Sequence, residues 1–110
     1  MDVDVRNLVG RLHATPVKAV LAVAGSGAEA ISLLLAVPGA SRTILEAVVP
    51  YAASSLAGFL GREPVQSVSE HTALDMARSA YRRATRLRER HSPVVGIGCT
   101  AAISTDRPRK

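Results

Sequence analysis

The chain contains no tryptophan, one phenylalanine and two tyrosines, so aromatic residues make up only 3% of its 110 positions. The aromatic platforms on which single-stranded nucleic acids stack are therefore missing, and Ala, Val and Leu have to fill any core. A single cysteine, Cys99, excludes an internal disulfide and a cysteine-based zinc site. His13, His71 and His91 show no ligand spacing, so no metal site is expected and no cofactor is called for. The longest apolar stretches, residues 19–24 and 31–38, fall far short of the roughly 18–20 residues a membrane span needs. No basic segment followed by an apolar one opens the chain as a secretory signal would. A soluble cytoplasmic protein without a membrane partner is the expectation. Nine acidic residues against fourteen basic ones leave a formal +5, with much of the surplus in residues 78–90 and 107–110. Without aromatic interleaving, that charge points to a phosphate-bearing small ligand or a solvated helix face before nucleic acid.

What is present suffices for one core: 47% of the residues are apolar, and 110 residues make a single domain rather than two. Val5, Leu8, Val9 and Leu12 recur at helical spacing behind Asp2 and Asp4, which predicts a first helix stopped by Pro16. Lys18-Ala19-Val20-Leu21-Ala22-Val23-Ala24 is a continuous apolar run ending in Gly25-Ser26-Gly27, the pattern of a strand covered on both faces. Residues 28–36 read as a helix closed by Val37-Pro38-Gly39. A second strand is expected over residues 43–49, ended by Pro50, and a short helix over 52–60, stopped by Gly61. Ser69 then caps the longest helix, about six turns, with Ala73, Met76, Ala77, Ala80, Tyr81 and Ala84 on one face and Ser92-Pro93 at its end. Val94-Val95-Gly96-Ile97-Gly98 forms a third strand running into Cys99-Thr100-Ala101-Ala102. Alternating strands and helices predict an α/β layered sheet, in which three strands are few for a complete domain.

In such sheets ligands bind beyond the carboxyl ends of the strands, where backbone N–H groups at helix starts attract anions. Gly25-Ser26-Gly27 qualifies, either as a phosphate or oxyanion cradle with a hydroxyl or as a plain tight turn. Gly96-Ile97-Gly98-Cys99-Thr100 brings another strand end to the same edge, either for ligand or for packing. Ser26 has no base near it in sequence, Cys99 reads as a packed inert thiol, and Tyr51 either packs on the sheet or turns its hydroxyl into the crevice. His13 and His71 read as surface residues at helix ends. The arginines from 78 to 90 read as a solvated face.

Four blocks in order carry a resemblance: Gly25-Ser26-Gly27 before Val37-Pro38-Gly39-Ala40-Ser41, then Tyr51 after the second strand, then Val68-Ser69-Glu70-His71-Thr72-Ala73-Leu74-Asp75-Met76-Ala77, then Thr100. Over about four-fifths of the chain this order resembles the C-terminal domain of the competence/damage-inducible protein CinA, the nicotinamide-nucleotide amidase family. The resemblance implies a three-layer α/β/α sandwich, often self-associated, that binds a phosphorylated nucleoside and in active members releases ammonia from the carboxamide of nicotinamide mononucleotide. It implies that residues 1–110 are one domain lacking its last strands and helix, with Arg107-Pro108-Arg109-Lys110 at the threshold of that segment. It assigns substrate contacts to Gly25, Gly27, Tyr51 and Thr100.

The departures bear on activity. The family's nucleophilic serine falls on Ala24, and the lysine that serves as base falls on Leu56. Ser26 stands where the family has threonine, and Ala101 replaces a glycine. The expectation is a divergent member that binds a nucleotide without catalysis; the alternative is an amide hydrolase with Ser26 as substitute nucleophile.

Overall fold

The structure, a computed structural model, describes residues 2–101. Asp2 caps the first helix, α1 (Val3–His13), its carboxylate accepting the N–H groups of Asp4 and Val5 at 2.7 and 3.2 Å. Three parallel strands follow, β1 (Lys18–Gly25), β2 (Ile44–Val48) and β3 (Val94–Ala101), in the order β2-β1-β3. Between them lie α2 (Ala28–Ala36), α3 (Ala53–Leu60) and α4 (Glu70–Leu87). β1 sits in the centre, and its six residues from Ala19 to Ala24 are all buried, as an unbroken apolar run requires when both faces are covered.

The two faces are filled differently. Val20, Ala22 and Ala24 pack against Leu56 of α3 and Met76, Ala80 and Ala84 of α4. On the other face Ala19 and Leu21 line a small apolar hollow of about 100 Å³ with Leu12 of α1, Leu34 of α2 and Val95 and Ile97 of β3. The layers are therefore α/β/α. β2 carries a register shift: Ala19 pairs with Ile44 but Val20 with Glu46. Skipping Leu45 turns Glu46 to the α4 face while Ile44 stays on the α2 face.

α4 begins as its sequence signals require, Ser69 Oγ accepting the Thr72 N–H at 3.0 Å. It ends at Leu87, short of the expected Ser92-Pro93, with Arg88 extended and Arg90 at φ 53°. Residues 88–92 are all polar, so nothing apolar remains to hold a further turn on the sheet.

The approach of α4 to β3 explains two glycines. A methyl group built on Gly96 would overlap the backbone of Ala77 and Tyr81, and one on Gly98 the backbone of Ala73 and Ala77. Gly96 and Gly98 are thus contact points for a helix, which gives these two glycines a packing role.

His13 is a correction. Expected at the surface, it is 1% exposed. Its Nε2 lies 2.9 Å from the Leu34 carbonyl, to which it donates, leaving Nδ1 for the Thr43 hydroxyl at 2.9 Å. The ring fastens the end of α1 to the end of α2 and the entrance to β2. Val9 and His13, one turn apart, form the inward stripe of α1, whereas Leu8 and Leu12 stay about half exposed. A His13→Ala variant leaves the Leu34 carbonyl and the Thr43 hydroxyl unpartnered in the interior. It is expected to lose about 1–3 kcal/mol in urea denaturation; an unchanged midpoint contradicts this role.

No helix among the described residues is long and apolar enough to cross a membrane.

Candidate functional site at the carboxyl edge of the sheet

Parallel strands place all three carboxyl ends on one side of the sheet. From β1 the chain passes through α2 on one face to β2, then returns through α3 and α4 on the opposite face to β3. The two connections diverge between the ends of β1 and β3, the point where open α/β sheets leave a crevice. Ala24 pairs there with Thr100, and Gly25 with Ala101.

The Gly25-Ser26-Gly27 turn is laid onto the end of β3. Gly25 has φ 89°, in the left-handed region, and a Cβ on it would overlap the Ala101 carbonyl. The same carbonyl accepts the Ser26 N–H at 3.3 Å. A Cβ on Gly27 would stand 2.8 Å from Val23 Cγ1 and 3.2 Å from Cys99 Sγ, so Cys99 is packed beneath the turn. Gly27 opens α2 without a side-chain cap, which leaves the helix start to other hydrogen-bond acceptors.

Ser26 and Thr100 are therefore on adjoining strand ends, as the sequence implied. Ser26 is exposed at the start of α2. Thr100 is half-buried and its hydroxyl donates to the Ser67 carbonyl at 2.7 Å, which ties the loop before α4 to β3. Tyr51 is elsewhere: it follows β2, on the far side of β1, and is 71% exposed. Neither packed on the sheet nor enclosed in a crevice, it departs from both expectations, because the buried place at the end of β2 is taken by Pro50.

A hollow of about 290 Å³ adjoins this edge, lined by Ala53, Ser54, Leu56, Glu63, Pro64 and Ser67. It reaches Thr100 through Ser67. Ala24 and Leu56, the positions at which the resemblance places a nucleophile and a base, are buried apolar residues at 7% and 3% exposure. Both belong to the cluster under α4. Among the described residues, no group of three or more His, Cys, Asp and Glu side chains could hold a metal ion.

Two charged arrangements went unanticipated. Arg83 Nε and Nη2 donate to the two carboxylate oxygens of Glu46 at 2.8 and 3.2 Å. That hydrogen bonding holds the Glu46 carboxyl below its ordinary value, against the opposing effect of burial. A lone glutamate inside the apolar run Ile44-Leu45-Glu46-Ala47-Val48 was the signal that a basic partner had to exist. Asp75 is held low as well, first by its hydrogen bond from Arg62 and then by the nearby charges of Arg62, His71 and Arg78. His71 is exposed in the first turn of α4, as expected.

No known family profile matches the chain, and no curated protein sequence does. The fold does match a solved structure, the competence/damage inducible protein CihA from Agrobacterium tumefaciens, with a TM-score of 0.62 and 25% sequence identity. The match covers 76% of this chain and 56% of that one, so the chain spans little more than half of its structural neighbour. The chain thus has a CinA-like α/β fold.

Proposed function

We propose that this chain is a nucleotide-binding domain of the nicotinamide-nucleotide amidase type that does not cleave an amide. The observation carrying this reading is the burial of Ala24 and Leu56 at 7% and 3% exposure. A methyl group and an isobutyl group inside a packed cluster offer neither a nucleophile nor a proton acceptor where the resemblance to the CinA family puts both. The turn that would surround a ligand is kept, with glycines at 25 and 27, an exposed Ser26 between them and an uncapped helix start beside it. That geometry supports contact with a phosphate or carboxamide oxygen through backbone N–H groups of α2 and the Ser26 hydroxyl. The Thr100 hydroxyl, bound to the Ser67 carbonyl, shapes the wall by fixing the loop before α4.

Calorimetric titration with nicotinamide mononucleotide, run beside an ammonia-release assay, tests this. Binding with no ammonia released is the expected result, with affinity weakened several-fold in Ser26→Ala. Ammonia released by the wild-type chain and abolished in Ser26→Ala supports the other reading, a hydrolase using Ser26 as nucleophile. A flat titration with no turnover refutes both.

A further inference from the structure

Arg78, Arg82 and Arg86 of α4 are exposed, as a solvated face requires, and some of these arginines also border a hollow. Ser79, Arg82, Arg83 and Arg86 follow one another at i, i+3, i+4 and i+7, so they share one side of the helix. Together with Glu46 and Val48 of β2 and Gly58 and Phe59 of α3, that side lines an open hollow of about 380 Å³. A volume of this size lies within the roughly 300–1,000 Å³ typical of small-ligand sites.

The charges in this hollow do not balance. Three guanidinium groups, of Arg82, Arg83 and Arg86, stand against the one carboxylate of Glu46. Glu46 is fully engaged by Arg83, both of its oxygens accepting hydrogen bonds. Arg82 reaches only the Ser79 hydroxyl, at 3.1 Å, and Arg86 has no hydrogen-bond or ion-pair partner among the described residues. In the neighbouring cluster, by contrast, Arg62 and Arg78 each reach a carboxylate, that of Asp75. Arg82 and Arg86, one turn apart and alike in charge, repel one another. An anion between them relieves that repulsion, and a phosphate group suits the planar fork of guanidinium donors. Val48 and Phe59, the chain's one phenylalanine, supply the apolar side chains of the lining.

We infer that this hollow is a second ligand site, for a small phosphorylated molecule whose phosphate is held by Arg82 and Arg86 and whose ring lies against Phe59 and Val48. Arg83, clamped by Glu46, fixes the wall between them. A nucleic-acid strand is the less suited occupant, because single-strand binders present several aromatic platforms along a groove and this hollow has one. The site shares no residue with the carboxyl-edge crevice and does not depend on the function proposed for it.

The test is calorimetric titration of the full chain with adenosine monophosphate and with inorganic pyrophosphate. Both ligands are expected to bind, and Arg82→Gln/Arg86→Gln to lose about tenfold or more in affinity for each. Phe59→Leu should weaken adenosine monophosphate and spare pyrophosphate. Both arginines are exposed, so the double variant should melt as the parent does; if it does not, Arg86→Gln alone is titrated and the same loss is expected. Affinities unchanged by the arginine substitutions overturn the proposal and leave the carboxyl-edge crevice as the binding place. Absence of binding by either probe also overturns it, as does steeply salt-dependent binding of a DNA duplex through the same arginines without binding of the small probes.

Discussion

Gly98→Val is expected to lower the melting temperature by about 10 °C or more, although valine is the better strand residue. Strand propensity alone would have valine at position 98 stabilise β3. The helix decides otherwise. A Cβ at residue 98 falls into the backbone of Ala73 and Ala77 and 2.8 Å from Met76 Cβ, and backbone atoms cannot rotate away as a flexible side chain would. Either α4 lifts from the sheet or β3 shifts. Overpacking of a well-filled core costs about 1–3 kcal/mol and occasionally more, and a clash against helix backbone lies at the upper end. Set against the roughly 5–15 kcal/mol of a small domain, a loss of about 3 kcal/mol removes between a fifth and three-fifths of the margin. Circular dichroism through a thermal ramp reads the result; a melting temperature equal to the parent's shows that α4 can move away freely.

Truncating Met76 to alanine is expected to cost about 2–5 kcal/mol, the range for emptying a fully buried site of this size. Met76 is the largest side chain that is completely enclosed, at 0% exposure, and it lies with Leu56, Ala80 and Ala84 over Val20, Ala22 and Ala24. The fully buried neighbours in that cluster apart from Leu56 are alanine or valine, while the larger Leu45, Phe59 and Leu60 pack against its margin, so only these could move into the space. Urea denaturation measures the loss, and Met76→Leu, which keeps the volume, should recover most of it. A cost under about 1 kcal/mol for the alanine variant contradicts the tight packing of α4 on β1. These two substitutions also separate stability from function, because neither residue lines the carboxyl edge or the arginine hollow.

These expectations rest on contacts of very different visibility in the sequence. The run from Ala19 to Ala24 announced a central buried strand because a strand covered on both faces has no use for polar residues. Ser69 announced the start of α4, since a helix leaves its first N–H groups to a side-chain cap. The adjacency of the Gly25-Ser26-Gly27 turn and Thr100 was also legible, as alternating elements imply parallel strands with all carboxyl ends together. Tyr51 was not, because the order β2-β1-β3 separates β2 from the crevice and strand order is a long-range property. His13 was not either: its partners, Leu34 and Thr43, lie 21 and 30 residues away, and nothing near it in sequence distinguishes a buried imidazole from an exposed one.

The arginine hollow divides in the same way. Helical spacing put Arg82 and Arg86 on one side of α4, but which neighbours line a hollow with that side depended on the register shift that turns Glu46 toward the helix. Local pattern alone determined the elements, their starts and the apolar stripe of α4, because capping, turn chemistry and periodicity act over a few residues. Tertiary structure decided that Gly96 and Gly98 serve a helix, that His13 is interior, and that two arginines stand unneutralised around an apolar floor. Such features depend on which distant residues are brought within a few ångströms, and that is settled only when the layers pack.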